Sequence, residues 1–192
     1  VNGYTNYDWI IAHEMTHMWW GACVTMNDWQ HIWLKEGFAT LGEALWMQTY
    51  GDWAYRQYMV EDIMMPYLQS GETFAMDSPS TPAEIFSYTT YEKAAAMLHM
   101  LRYVMGDEKF FEALNYYFDG HQFGLVEPAD FRDDIELVWG QDIDWFLDTW
   151  VYGEGYPVYL FVFSSQQSGS DWVVSINVNQ VQTIGPFFEM PL

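Results

Sequence analysis

The sequence predicts a mainly α-helical protein followed by short C-terminal β-strands, and three observations carry that expectation. Up to about residue 155, segments with helix-like spacing of apolar residues are punctuated by Gly and Pro. The first two segments hold His13-Glu14-Met15-Thr16-His17 and Glu36, and a helix stacks the two histidines on one face. After Gly155-Tyr156-Pro157 the pattern turns to alternating β-branched and aromatic runs. The division expected is a helical domain over residues 1–155 and the start of a β-rich domain over 156–192.

The elements follow in order. Tyr4 to Trp20 reads as the first helix, with Thr5 or Asn6 as cap and Gly21 as stop. Ala22 to Gln30 is a short extended connection, and a second helix runs from about Ile32 to Tyr50, closed by Gly51. Asp52 caps a third helix that continues to about Gln69. Ser70 to Pro82 is a loop, and Thr81-Pro82-Ala83-Glu84 has the capping-box shape for one turn of helix. Thr90 to Met105 forms another helix ended by Gly106. Asp107 to Phe118, Pro128 to Trp139 and Asp142 to Tyr152 make three more. Val158 to Phe163 and Trp172 to Val181 form a hairpin around a loop at 165–170, with a third strand expected at Phe187 to Met190.

Composition narrows the class. At 192 residues, 51% of them hydrophobic and 20% aromatic, the chain can build a sizeable core, which excludes intrinsic disorder. The aromatic excess is expected to lie mostly in that core. Acidic residues number 27 against 6 basic ones, a net charge of -21, so nucleic acid is a poor partner. No apolar run is long enough to span a membrane, and no leader pattern opens the chain. The compartment is left open by this, and a secreted or periplasmic place is compatible with it. Cys23 stands alone and reads as a small buried residue.

The chemistry sits in the first two helices. His13 and His17 are four apart, so both imidazoles reach one metal ion. Glu14 is rotated about 100° from His13, beside the metal, where it can take a proton from the attacking water. Glu36 supplies a third ligand from the second helix. Two neutral imidazoles and one carboxylate leave the fourth zinc position open, the catalytic pattern, and H-E-x-x-H is a zinc metalloprotease signature. Trp9, Ile10, Ile11, Met15, Met18, Trp19 and Trp20 make this helix apolar nearly all round, so it is expected to be buried. Buried His and Glu without a partner would be costly, and one zinc ion removes that cost. Glu43, seven positions after Glu36, shares its face. It either binds the free ring N–H of a ligand histidine or stands as a surface carboxylate, and the shared face favours the first. His31, His99 and His121 need no catalytic role.

Three stretches carry a resemblance: Ala12 to Gly21 around the two histidines, Trp33-Leu34-Lys35-Glu36-Gly37-Phe38-Ala39, and Tyr91-Glu92-Lys93-Ala94. With them the sequence resembles the gluzincin zinc aminopeptidases, the family of alanyl aminopeptidase and leukotriene hydrolase. Asp142-Ile143-Asp144-Trp145-Phe146 and Gly155-Tyr156-Pro157 add weaker matches. The resemblance implies a thermolysin-like helical catalytic subdomain that removes amino-terminal residues from peptide substrates. It also implies that Tyr91 stabilises the transition state. From residue pattern alone Tyr88 is a rival, and only the resemblance picks Tyr91.

Three departures stand out. Ala94 replaces a family glycine, and Ala22-Cys23 replaces an Asn and an aliphatic residue. The family's Gly-x-Met-x-Asn strand, which holds the substrate's amino terminus, is expected upstream of Val1. On that expectation the chain is a catalytic-domain fragment whose partner is the missing N-terminal domain of the same polypeptide, and it has little activity alone. The same ligands would serve a thermolysin-like endopeptidase. A non-catalytic peptidase-like scaffold would be expected to have lost the base or a ligand, and His13, Glu14, His17, Glu36 and Tyr91 are all present.

Overall fold

The computed structural model describes residues 7–190. The second helix, α2 (Trp33–Gln48), is the axis of the fold: Trp33, Leu34, Phe38, Leu41 and Ala44 are buried on it, and so are the polar Glu36, Thr40 and Glu43. A helix covered on several sides needs places where neighbours come close, and two glycines provide them. At Gly37 a side chain would meet Ala94, with Cβ atoms 2.5 Å apart, and at Gly42 it would collide with Thr16. Gly37 thus leaves the space that the Ala94 side chain occupies.

The first helix, α1 (Asp8–Thr16), lies across α2 at Gly42. It is shorter than expected at its C-terminal end: Met18 and Trp19 bond back to Met15 and Thr16 in tight turns, and Gly21 sits at a φ of +128°. The expected start at Tyr4 and its cap at Thr5 or Asn6 lie outside the described residues. The expectation that this helix is buried does not hold. Of its residues only His13 is buried, while Trp9, Ile10, Ile11 and Met15, with Met18 and Trp19 beyond, are exposed. The reason is that its large contact within the described residues is with one element, α2, and one helix can cover only one face.

The connection after α1 contains a strand, β1 (Val24–Met26), followed by a 3₁₀ turn at Trp29–His31 held by the Asp28 side chain. Helix α3 (Asp52–Tyr58) runs through a π stretch, Met59–Met64, into α4 (Met65–Ser70), so the expected single helix is present with a change of pitch inside it. Asp52 is its first residue rather than its cap, and accepts a bond from Gln48 at 3.0 Å. In α5 (Pro82–Ile85) Thr81 accepts from the Glu84 amide, but the Glu84 carboxylate bonds the Ser80 amide, one residue short of a reciprocal box. A second π stretch, Thr89–Lys93, leads into α6 (Ala94–Met105), and α7 (Asp107–His121) follows past Gly106.

Strand β2 (Gly124–Val126) pairs in parallel with β1, Val24 opposite Gly124, a contact across 100 residues that local pattern does not reveal. Helix α8 (Pro128–Trp139) begins with Glu127 and Asp130 bonding each other's backbone amides, and α9 (Asp144–Trp150) closes the helical part. Phe38, Tyr117 and Phe131 meet in edge and stacked contacts at the core, with Trp33 edge-on to Phe131. The aromatic excess is not core alone: Trp53, Phe123, Phe163 and Trp172 are exposed. Cys23 is half-buried rather than buried.

Strands β3 (Tyr159–Ser168) and β4 (Asp171–Gln180) pair antiparallel from Tyr159 opposite Gln180 to Ser168 opposite Asp171. The polar stretch expected as a loop is paired almost to its tip, because Gly169, at φ +66°, allows a two-residue turn. Residues Phe187 to Met190 form no strand. The Gln180 side-chain amide instead takes both backbone groups of Phe188, whose ring is buried against Trp150.

Candidate metal centre and active site

Three helical segments converge on one cavity of about 740 Å³. α1 brings Glu14 and His13, with His17 just beyond its end; α2 brings Glu36, Thr40 and Glu43; the second π stretch brings Tyr91 and Glu92. The close approach at Gly42 lets α1 lie low enough on α2 for both imidazoles to face the Glu36 carboxylate. Glu36 Oε2 is 3.3 Å from His13 Nε2 and 3.1 Å from His17 Nε2. A tetrahedral zinc with bonds near 2.0–2.1 Å has donor–donor edges of about 3.3 Å. The three side chains thus present their donor atoms at separations that fit one such ion.

The ring nitrogens facing away from this point are each taken. His13 Nδ1 bonds Glu43 Oε1 at 2.7 Å, and His17 Nδ1 bonds the Trp20 carbonyl at 3.0 Å. Each bond fixes the tautomer whose Nε2 lone pair points inward. The tight turn past α1 serves this purpose: at Gly21 a Cβ would crowd Lys35 and the His17 ring. The structure brings Glu43 to His13, so the alternative of a free surface carboxylate is not what is seen.

The charges respond to this packing. Burial opposes a proton on His13, yet bonds to Glu36 and Glu43 outweigh it and raise its pKa to about 9. Burial also opposes charge on Glu36, but the two imidazoles hold its carboxyl well below the usual range. Lys35 Nζ lies 3.3 Å from the other Glu36 oxygen and steadies it.

Glu14 is exposed to the cavity beside the three donors and is not one of them. The Tyr91 ring lies nearly parallel to the His13 ring, centroids 6.0 Å apart. Burial, then the nearby Glu36 charge, pushes its hydroxyl pKa up, so it remains a proton donor. Tyr88 lines the same cavity but is 45% exposed, and it is Tyr91 that stands against His13. Burial, with Glu43 and Glu72 nearby, raises Glu92 to about 7.

Two participants were not singled out from the sequence. Tyr58 donates to Glu43 Oε2 at 2.5 Å, and the Trp20 carbonyl holds His17. Neither has a local signal, since one partner lies on another helix and the other is backbone. The remaining histidines are held elsewhere: His31 by Asp77, His99 by Tyr55, His121 by Asp134.

Known proteins resemble this chain along its helical part. Residues 2–150 match the model of the peptidase family M1 domain. Glutamyl aminopeptidase of Rattus norvegicus is 35% identical over 78% of this chain and 17% of its own length. Aminopeptidase N of Lactococcus lactis subsp. lactis is 30% identical over 88% of the chain and 23% of its own. The chain therefore spans about a fifth of the length of these relatives. Among solved structures, an M1 zinc metallopeptidase from Deinococcus radiodurans is 30% identical, with a TM-score of 0.69 over 80% of this chain and 34% of its own. A mutant of that kind bound to a Tyr-Ser-Ala substrate superposes equally well, at 29% identity over 80% of this chain and 35% of its own. The helical fold, the converging His13, His17 and Glu36, and the family match over most of the helical part lead to one conclusion: this chain belongs to peptidase family M1.

Proposed function

We propose that the chain carries the zinc-binding and catalytic residues of an aminopeptidase, with one zinc ion held by His13, His17 and Glu36. The observation that carries this reading is the convergence of three donor atoms within 4.8 Å of one another at the floor of an open cavity. An ion held there would supply Lewis acidity and make water more acidic. Glu14, on the cavity side of α1, takes the proton of the attacking water and passes it to the leaving amine. Tyr91 donates a hydrogen bond to the oxyanion that develops on the scissile carbonyl. Glu43 and the Trp20 carbonyl keep the two imidazoles in the correct tautomer.

The aminopeptidase reading is supported by relatives named glutamyl aminopeptidase and aminopeptidase N. Peptides with a free amino terminus are the proposed substrates. The domain division is proposed at the same place: helices end at Trp150, the family match ends at 150, and the exposed hairpin of β3 and β4 follows. No helix among the described residues is long and apolar enough to cross a membrane.

The deciding experiment, run on the intact parent enzyme, compares aminoacyl fluorogenic substrates with amino-blocked peptides, using wild type and Glu14→Gln. Wild type should cleave only the free amino termini. Glu14→Gln should retain zinc and lose activity by about 10²–10⁴-fold. Equal cleavage of blocked peptides would make the enzyme an endopeptidase, and loss of zinc in the variant would make Glu14 a ligand or a structural residue.

A further inference from the structure

We propose that Tyr58 is a positioning residue of the metal centre, acting on His13 through Glu43; the proposal rests on the zinc reading above. Glu43 is 6% exposed, and among the described residues each of its oxygens has a partner: Oε1 takes the His13 Nδ1–H at 2.7 Å and Oε2 takes the Tyr58 hydroxyl at 2.5 Å. A carboxylate held at one oxygen can still turn about its last torsion, a broad and soft one. A second bond on the other oxygen removes that freedom. The imidazole plane, and with it the direction of the Nε2 lone pair, is then fixed by a chain running Tyr58, Glu43, His13. His17 is different, because a backbone carbonyl needs no such support.

The backbone at Tyr58 is also unusual. It is the last residue of α3, and the pitch changes to π spacing directly after it, over Met59–Met64. Single π turns are uncommon, and many mark functional sites. Asp62 within the stretch and Pro66 just after it also line the cavity. The hydroxyl remains the donor in this bond: burial first, then the Glu43 charge, pushes its pKa up. The two bonds thus meet on the two oxygens of one carboxyl group, which links Tyr58 to His13 through Glu43.

The test is a double-mutant cycle on zinc affinity, read by competition with a chromogenic chelator, together with the visible spectrum of the cobalt(II)-substituted protein. Tyr58→Phe keeps the ring and removes only the hydroxyl. It should weaken zinc binding about 10-fold, the lower end of what outer-sphere partners contribute, and shift the cobalt bands. In a Glu43→Ala background the same substitution should change zinc affinity by less than about twofold, because the residue through which it acts is gone. Glu43→Gln serves as a second background should the alanine variant fold poorly. There the charge on the acceptor is gone and both bonds become neutral ones, so the Tyr58→Phe effect should fall below about threefold. A purely structural tyrosine would lower zinc affinity equally in every background and leave the cobalt bands in place. That result, or an unchanged affinity in Tyr58→Phe alone, overturns the proposal. A wild-type protein that takes up no zinc overturns the metal-centre reading itself, a separate outcome.

Discussion

The seating of α1 on α2 at Gly42 is the point on which the site's geometry depends, and Gly42→Ala tests it. The added Cβ would collide with Thr16 Oγ1 and lie 2.9 Å from Thr16 Cβ and 3.0 Å from Cγ2. Thr16 cannot swing away freely, since its hydroxyl is bonded to the Ala12 carbonyl at 2.8 Å. α1 must then lift by roughly half an ångström or more to restore ordinary carbon contacts near 3.5 Å. On an open helix, Gly→Ala adds roughly 0.5–1 kcal/mol of stability. Here overpacking costs about 1–3 kcal/mol instead, so the sign of the change alone is informative. A melting temperature about 4 °C lower is expected, at roughly 2–4 °C per kcal/mol for a chain of this size. Lifting α1 also draws His13 and His17 away from Glu36, and metal sites tolerate only about 0.2 Å in bond length. Calorimetry and chelator competition should both show a loss, and Thr16→Ala should restore part of each. A Gly42→Ala protein that melts above wild type and binds zinc unchanged would refute the reasoning.

Further outcomes are expected elsewhere. In the intact parent enzyme, Tyr91→Phe should lower kcat by about 10²–10³-fold with little change in KM, because the hydroxyl acts on the developing oxyanion; an unchanged kcat would move the role to Tyr88. Lys93 is fully buried with its Nζ on the Gly153 carbonyl, and burial lowers its pKa to about 8. The unfolded lysine keeps its proton to higher pH, so between about pH 8 and 10 the unfolded state binds more protons and stability rises with pH. The stability of wild type minus that of Lys93→Met should climb by on the order of 2 kcal/mol across that window in denaturant titrations. A flat difference would contradict the buried, discharged state.

Much of this was legible in the sequence, and what was not has physical causes. Pro128 to Trp139 was readable to the residue because Pro at the start and Gly140 after the end are local signals. The histidine spacing, Glu36 and Glu43 were readable because helical periodicity places them. The β1–β2 pairing was not, since strands of three residues with partners 100 positions away leave no pattern. The π stretches were hidden for a related reason: a change of pitch alters which residues face inward without altering their types. The burial expected for α1 failed because periodicity reports what a helix could bury, while burial depends on which neighbours are present. Tyr58 and the Trp20 carbonyl were invisible because each acts on a residue of another segment or through backbone alone.

The central claim is that His13, His17 and Glu36 hold one catalytic zinc. X-ray absorption at the zinc edge, on protein loaded with one equivalent and freed of excess metal, tests it most directly. Two imidazole nitrogens and one carboxylate oxygen are expected at about 2.0–2.2 Å, with the remaining position taken by water and no sulfur. Imidazole scattering should be halved in His17→Ala. A zinc–sulfur shell from Cys23, or a His17→Ala spectrum identical to wild type, would contradict it.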